Sequence, residues 1–183
     1  MRKLTHQEVV DRQKEKLKEE RLPFAVCLNN IRSLYNVGSI FRTSDGAGVE
    51  KIWICGITGH PPNNQITKTA LGAEEHVAWE YRLDICSVLE ELKDKGYQII
   101  MLEQTQSSSS YKSVELKAPV CLVVGNEIEG VSSDIVRYCD HAIEIEMAGI
   151  KNSLNVAVAF GVVAYHFRNC LTCSLTSFKM EKA

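Results

Sequence analysis

The sequence predicts one α/β domain with a mostly parallel sheet that helices cover on both faces. Short runs rich in valine, isoleucine and leucine alternate with segments of helical periodicity. Apolar strands separated by helices are typical of a mostly parallel sheet that is covered on both faces. The length of 183 residues suits a single domain. The pattern of residues leads to this fold class and no further.

The apolar runs predict six strands, at residues 24–28, 51–55, 77–81, 97–102, 119–124 and 141–146. The segments between and after them predict helices at residues 36–47, 84–95, 132–139 and 153–169. Asp84 is a suitable N-cap, and Gly48 and Gly96 each follow a predicted helix and end it. Residues 56–65 contain two prolines and two asparagines, which predict a loop.

The chain is expected to have three parts. Residues 1–22 are rich in lysine, arginine and glutamate and predict a charged helical extension that ends before Pro23. Residues 23–170 form the α/β domain. Residues 171–183 lack a clear pattern and predict a flexible tail.

Composition restricts the compartment and the partners. The chain has no apolar run near the roughly 20 residues of a membrane span, and its first residues lack the apolar core of a signal peptide. We therefore expect a cytoplasmic protein without a membrane partner. The net charge of −2 means that any contact with nucleic acid must come from a local patch.

The seven cysteines predict neither a disulfide framework nor a metal site. Their number is odd and their spacing is irregular. Cys170 and Cys173 form a C-x-x-C pair, but no second pair of cysteines or histidines follows nearby, so no metal ligand set is expected.

Two predicted strands run directly into polar loops that contain glycine. Gly125, Asn126 and Glu127 follow the strand at 119–124, and residues 147–155 follow the strand at 141–146. Loops at the carboxyl ends of parallel strands bind ligands in many α/β proteins. The same residues could equally be ordinary turns that satisfy local backbone groups. In the second loop, Asn152 or Ser153 is expected to be the helix N-cap.

A third polar cluster lies in the first predicted helix. Asn36 is at its start, and Arg42 lies among apolar neighbours six residues later. An exposed arginine that forms ion pairs is the ordinary interpretation of such a residue. The chain contains no Walker A lysine motif, no H-E-x-x-H and no G-x-S-x-G that would indicate another chemistry.

Taken in order, three segments resemble the motifs of the SpoU (TrmH-like) branch of the SPOUT RNA methyltransferases. They are residues 36–48, N-V-G-S-I-F-R-T-S-D-G-A-G; residues 122–132, L-V-V-G-N-E-I-E-G-V-S; and residues 145–159, I-E-M-A-G-I-K-N-S-L-N-V-A-V-A. The segment T-A-L-G-A-E-E-H-V at residues 69–77 is also similar to that family. The resemblance extends from about residue 24 to residue 167.

The resemblance implies a C-terminal deep trefoil knot, a homodimer and S-adenosylmethionine as cofactor, without a metal. It implies transfer of a methyl group to a ribose 2′-hydroxyl in tRNA or rRNA. The implied catalytic residues are Arg42, Asn36, Glu127, Ser153 and Asn155. The implied cofactor-binding residues are Glu103, Gly125, Asn126, Ile145, Met147, Ser153 and Leu154.

Basic residues in loops or near the implied site are expected to contact RNA phosphates: Arg32, Arg42, Lys68, Lys112 and Lys151. Two alternatives stay open. The chain could be an RNA-binding or assembly protein that keeps the fold without catalysis, or a SPOUT methyltransferase that modifies a base. Arg42 could act as a base or could only position the substrate, because arginine normally remains protonated.

Overall fold

The computed structural model of the protein describes residues 1–16 and 21–180. In these ranges, seven strands form one parallel sheet in the order β3-β2-β1-β6-β4-β7-β5. The strands are β1 Leu22–Asn29, β2 Val49–Cys55, β3 Ala78–Arg82, β4 Gln98–Leu102, β5 Ser109–Ser110, β6 Val120–Val124 and β7 His141–Glu144. The predicted mostly parallel sheet is confirmed.

Helices cover both faces of the sheet, as predicted. Their bounds are α1 His6–Lys16, α2 Leu34–Ala47, α3 Asn64–Ala70, α4 Ile85–Asp94, α5 Ser133–Val136 and α6 Val156–Met180, with a short 3-10 turn at Ala73–Glu75. Helices α2, α3 and α6 pack on one face and α4 and α5 on the other, because their buried side chains belong to two separate apolar clusters.

Strand β1, in the interior of the sheet, contributes side chains to both apolar clusters. Phe24, Val26 and Leu28 point to the face of α2 and α6, whereas Ala25 and Cys27 point to the face of α4. Successive side chains of a strand point to opposite faces, so a strand buried on both sides must be apolar at every position. Burial of each large apolar side chain contributes about 1.5–3 kcal/mol.

Several local predictions were wrong. Helix α3, Asn64–Ala70, was not predicted and begins at the last two residues of the predicted loop at 56–65. Asn63 caps it by accepting a hydrogen bond from the backbone N of Gln65 at 2.9 Å. The predicted helix at 132–139 is one turn, Ser133–Val136. The predicted strand at 141–146 ends at Glu144. It pairs with the two-residue strand β5, which was not predicted.

Other capping predictions were confirmed. Asp84 accepts hydrogen bonds from the backbone N of Cys86 and Ser87 at 3.0 and 3.3 Å, and so caps α4. Gly48 ends α2 in the left-handed conformation with φ of 77°. A glycine adopts this conformation without the steric cost that a Cβ atom brings.

The last helix differs most from the prediction. It begins at Val156 instead of residue 153 and continues to Met180, through most of the segment that was expected to be a flexible tail. Residues 171–180 contain no glycine or proline that would end it. The flexibility of the tail and the division of the chain into three parts stay predictions, as does the trefoil knot.

Part of α6, Val156–Cys173, has the length and composition of a membrane-spanning helix. Core helices of soluble proteins can have the same length and composition, so these properties are weak evidence for a membrane-spanning helix. One side of α6 packs into the core through Phe160, Val163 and Phe167, each fully buried.

Candidate functional site

A pocket of about 380 Å³ opens at the carboxyl ends of β4, β6 and β7. In the sheet, β6 lies between β1 and β4, so the loop after β1 is adjacent to the loops that form the pocket. A crevice at this edge of an open α/β sheet is where ligands bind. All seven residues predicted to contact a cofactor line this pocket: Glu103, Gly125, Asn126, Ile145, Met147, Ser153 and Leu154.

Glu127 is the centre of a hydrogen-bond network at the mouth of the pocket. Its carboxylate accepts hydrogen bonds from the backbone N of Arg32 at 3.0 Å and of Ser33 at 3.1 Å. It also accepts one from Asn36 Nδ2 at 2.9 Å. Ser33 in turn caps α2, since its Oγ accepts a hydrogen bond from the Asn36 backbone N at 3.3 Å. The carboxylate therefore fixes the start of α2 against the loop after β6.

These contacts determine the ionisation of Glu127. Partial burial raises the pKa of Glu127. The hydrogen bonds from Arg32, Asn36 and Ser33 together lower it by more, so the pKa lies below the ordinary value. Hydrogen bonds to a carboxylate stabilise the charged form. Glu127 is consequently a fixed anion at neutral pH, suited to orienting donors.

Asn155 joins the same network from α6. Its Nδ2 donates to Asn36 Oδ1 at 3.1 Å, while its Oδ1 accepts from the backbone N of Ala157 at 3.0 Å and of Val158 at 3.4 Å. Asn155 is thus the side chain that caps α6, and the expected cap at Asn152 or Ser153 was wrong. The chain Glu127–Asn36–Asn155 connects three distant motif segments through side-chain hydrogen bonds.

The loop after β6 is built by Asn126. Its Oδ1 accepts from the backbone N of Ile128 at 2.8 Å and of Glu129 at 3.0 Å, and its Nδ2 donates to the Asn30 carbonyl at 2.8 Å. The Asn126 side chain is therefore occupied in shaping the loop. A Cβ atom at Gly125 would lie 2.4 Å from the Gly130 backbone, so only glycine fits there.

Glu103 forms part of the pocket wall at the end of β4. Its carboxylate accepts hydrogen bonds from the backbone N of Gln104 and of Val131, both at 2.9 Å. Gln104 Nε2 donates to the Asn152 carbonyl at 2.7 Å and so links this wall to the loop after β7. The sequence analysis missed Gln104, although a polar residue directly after an apolar strand could have indicated it.

Two predicted catalytic residues lie outside the network. Ser153 lines the pocket, is exposed, and makes no hydrogen bond to the described part of the chain. Arg42 is exposed on α2 and has no hydrogen bond or ion pair to any residue in the described ranges. Six residues along a helix correspond to about 9 Å of rise, and to a rotation that turns Arg42 away from Asn36. One chain does not bring Arg42 to the pocket.

The remaining residues that were expected to bind RNA are all exposed. Arg32 lies in the loop after β1 that holds Glu127, and Lys151 lies in the loop after β7. Lys68 is in the last turn of α3, and Lys112 lies 5.5 Å from the ring centre of Tyr111. Their contact with RNA stays a prediction. Among the described residues, no group of three or more His, Cys, Asp or Glu side chains could hold a metal ion.

Residues 23–165 match the SpoU rRNA Methylase family. The chain is 33% identical over 156 residues to the tRNA (guanosine(18)-2'-O)-methyltransferase of Aquifex aeolicus, covering 84% of this chain and 72% of that protein. It is 31% identical over 147 residues to a Staphylococcus saprophyticus protein assigned to the TrmH family of tRNA/rRNA methyltransferases. That alignment covers 80% of this chain and 59% of the relative, so the chain spans about three fifths of the staphylococcal protein.

Solved structures give the same result. The fold is similar to the TrmH/SpoU tRNA modifying enzyme of A. aeolicus, with a TM-score of 0.78 and 29% identity over 90% of this chain and 83% of that one. It is also similar to an AdoMet-bound rRNA methyltransferase from Sinorhizobium meliloti, with a TM-score of 0.76 and 26% identity. That comparison covers 81% of this chain and 56% of the other.

Proposed function

Because the chain belongs to the SpoU rRNA Methylase family, we propose that it is an S-adenosylmethionine-dependent methyltransferase that acts on a ribose 2′-hydroxyl of tRNA or rRNA. The observation that carries the proposal is the network of Glu127, Asn36 and Asn155 at the mouth of the pocket. It places oriented polar groups beside a cavity, as a reaction between a bound cofactor and a polar substrate requires.

The pocket suits the proposed cofactor. Its volume of about 380 Å³ falls within the range of small-molecule sites. Leu102, Val124 and Ile145 provide apolar surface for an adenine ring, and Glu103 and the backbone of Gly125 provide polar edges. S-adenosylmethionine supplies a methyl group already activated on a sulfonium sulfur.

The protein's remaining task is to align the hydroxyl and to remove its proton. A ribose hydroxyl is a weak nucleophile until its proton is transferred to a base. The side-chain amide of Asn36 donates a hydrogen bond to Glu127 and accepts one from Asn155. Its orientation is therefore fixed before the substrate binds. A fixed orientation reduces the entropic cost of reaching the reactive geometry. Held by Glu103 and the backbone of Gly125, S-adenosylmethionine would supply the methyl group and would leave as S-adenosylhomocysteine.

We propose that Arg42 reaches the site of a partner subunit in a homodimer. Helix α6 carries a stripe of exposed apolar side chains, with Val158 53%, Val162 37% and Tyr165 48% exposed. These residues recur at spacings of four and three, so they share one face of the helix. An exposed apolar face on a helix is typical of an interface. A second copy on this face would explain why Arg42 has no partner in the described part of its own chain.

Two assays test the proposed function. We expect calorimetric titration to show saturable S-adenosylmethionine binding near one site per chain. We then expect unmodified tRNA or rRNA transcripts to gain 2′-O-methyl groups, and Arg42→Ala to abolish this gain. Transcripts of tRNA come first, since a relative at 33% identity is named for a tRNA nucleotide. Methylation of a base would indicate another reaction, and folded protein that binds no cofactor, with or without RNA, would indicate a non-catalytic role.

A further inference from the structure

A cluster of aromatic rings is formed by the edge strand β3 and by the loop after β2, which leaves the sheet at the same edge as the pocket. The His60 ring stacks on Trp79 with 5.8 Å between ring centres and 25° between planes. It also contacts Tyr81, at 4.9 Å and 44°. Trp79 is half-buried against the core, whereas His60 and Tyr81 are exposed. The rings therefore form a platform that is anchored below and open above.

Two exposed aliphatic residues enlarge this platform. Ile57 is 71% exposed and Leu83 is 76% exposed. They lie in the loops that follow β2 and β3, and these loops are hydrogen-bonded together, because the Gly56 backbone N donates to the Leu83 carbonyl at 3.2 Å. We refer to Ile57, His60, Tyr81 and Leu83 as the edge platform. All four side chains are exposed to solvent.

Hydrogen bonds connect the edge platform rigidly to the candidate site. Tyr81 Oη donates to the Gly56 carbonyl at 2.9 Å, and the Ile57 backbone N donates to Asn30 Oδ1 at 3.0 Å. The Asn30 carbonyl accepts from Asn126 Nδ2, which shapes the pocket loop. A Cβ at Gly56 would lie 2.0 Å from Asn30 Oδ1, so the two loops could not be so close with another residue there.

The position of the platform relative to the pocket follows from the strand order. Strand β3 is three positions from β6 in the sheet. Neighbouring strands are about 4.8 Å apart, so strand β3, which carries Tyr81, lies about 14 Å from strand β6, which leads into the loop of Glu127. An RNA strand with its reacting ribose at the pocket would place a neighbouring nucleotide, and not the reacting one, on the platform.

The charge of the protein favours stacking as a source of affinity. With a net charge of −2, the chain has no overall positive charge to attract nucleic acid, so contacts other than bulk charge must add affinity. Proteins that bind unpaired nucleotides stack the bases on aromatic side chains, and this stacking is largely independent of base identity. The exposed Lys68 in α3, the helix that follows the His60 loop, would be available to a nearby phosphate.

We propose that the edge platform stacks an unpaired RNA base that flanks the methylated nucleotide. This inference rests on the proposed function, because it requires RNA at the pocket. His60 is suited to the task. Its Nδ1 lies 2.8 Å from the Pro61 carbonyl, which can only accept, so Nδ1 carries a proton and the ring orientation is fixed.

The test compares RNA affinity of platform variants with that of matched controls. The double variant His60→Ala, Tyr81→Ala removes both exposed rings. Tyr81→Phe keeps the ring without the hydroxyl, and His141→Ala removes an exposed histidine at the opposite, amino edge of the sheet. The probe is a set of fluorescein-labelled, unmodified tRNA transcripts, measured by anisotropy over a series of salt concentrations. Thermal unfolding and S-adenosylmethionine binding confirm that each variant is folded.

We expect the double variant to bind these transcripts about 5- to 100-fold more weakly. The salt dependence should not change, because a lost phosphate contact would lower its slope by about one and a lost stack would not. His141→Ala should bind as the wild type does, and Tyr81→Phe, which keeps the ring, should bind more tightly than the double variant. Transcripts substituted with 4-thiouridine should cross-link to peptides within residues 57–83. If the double variant fails to fold, His60→Ala alone decides, because its side chain is exposed.

Equal affinity of the wild type and the folded double variant would overturn the stacking proposal and leave the methyltransferase proposal intact. A changed salt slope would indicate a phosphate contact instead and would also overturn it. A changed oligomeric state in sedimentation would assign the platform to contact between copies of the chain. Wild-type protein that neither binds nor methylates RNA would overturn the stacking proposal together with the proposed function.

Discussion

Glu127 shows how a single side chain can hold several parts of a site together. Its carboxylate receives two backbone donors from the loop after β1 and one amide donor from α2. Each hydrogen bond to a charged group contributes more than one between neutral groups. The residue therefore holds the loop, the start of α2 and Asn36 in one arrangement.

Glu127→Gln should weaken both stability and catalysis. Both carboxylate oxygens of Glu127 accept hydrogen bonds, but a glutamine has only one acceptor oxygen. Its NH₂ group would face one of these donors, which would then lack an acceptor. We expect a loss of about 1 kcal/mol in unfolding free energy, a modest value because the site is solvent-accessible. We expect methyl transfer to fall about tenfold or more, since a barrier increase of 1.4 kcal/mol has that effect. Chemical denaturation and single-turnover methylation measure the two effects.

The control is Glu129→Gln, a change of the same chemistry two residues away. The Glu129 side chain makes no hydrogen bond to the described residues. The Glu129→Gln variant should therefore unfold at the same denaturant concentration as the wild type and should methylate RNA at the same rate. Equal losses in the two variants would mean that the loop depends on total charge and not on the Glu127 contacts.

The same carboxylate predicts a pH dependence of stability. The pKa of Glu127 is lower in the folded protein than its ordinary value of 4.5, because the hydrogen bonds outweigh the effect of burial. A group with a lowered folded pKa stabilises the protein above its unfolded pKa, and that contribution is lost as the pH falls through the folded pKa.

We therefore expect the difference in unfolding free energy between wild type and Glu127→Gln to be constant near neutral pH. It should shrink as the pH falls below about 4.5. Denaturant titrations at several pH values from about pH 7 to pH 3 measure this difference. A difference that stays constant over the whole range would contradict the assigned hydrogen bonds.

At the scale of the element, Asn155 joins a structural role to a functional one. Its side-chain oxygen caps α6 through two backbone N–H groups, while its side-chain nitrogen donates to Asn36. An asparagine can do both because its amide has an acceptor at one end and a donor at the other. The position of the helix is thereby coupled to the network around Glu127.

Two substitutions at Asn155 should separate the roles. Asn155→Asp keeps an acceptor for the cap but loses the donor to Asn36, so we expect nearly unchanged stability and strongly reduced methyl transfer. Asn155→Ala loses both, so we expect a further loss of about 1 kcal/mol in unfolding free energy. Thermal unfolding and methylation rates measure these effects. Full activity of Asn155→Asp would show that the contact with Asn36 is dispensable.

The elements also show what local sequence can predict. Strands buried on both sides are apolar at every position, and this accounts for the correct prediction of β1, β2, β4 and β6. The cap of α6 could not be chosen among Asn152, Ser153 and Asn155, because all three are good caps by residue type. The contact with Asn36, 119 residues earlier in the chain, accompanies the choice of Asn155. No local pattern carries that information.

Prediction of the candidate site from local sequence was limited in the same way. The motif segments identified Asn36, Glu127 and Asn155, yet their hydrogen bonds span 91 and 119 residues and follow only from the fold. Asn126 lines the pocket, as its predicted contact with a cofactor requires, and its side chain also shapes the loop. An asparagine after a glycine is equally suited to both uses, so residue type alone could not separate them.

At the scale of the whole molecule, the exposed apolar face of α6 and the isolated position of Arg42 have one common explanation. Val158, Val162 and Tyr165 would be covered by a second copy of the chain, and Arg42 would act at that copy's pocket. A two-fold dimer brings the same surface of both chains together, so each pocket would receive one Arg42. This arrangement predicts that each active site is shared between two chains.

Mixing two inactive variants decides whether Arg42 acts in the partner's site. In a heterodimer of Arg42→Ala and Asn36→Ala, a shared arrangement gives one site with both changes and one site with neither. Random exchange makes about half of the dimers heterodimeric, so methylation should return to about a quarter of the wild-type rate. If Arg42 acts within its own chain, every site of the heterodimer carries one change and no activity returns.

Adding Val158→Lys and Val162→Lys to both partners should abolish the recovery, because buried lysines without partners disrupt an apolar interface. Recovery that survives those changes would place the shared surface away from α6.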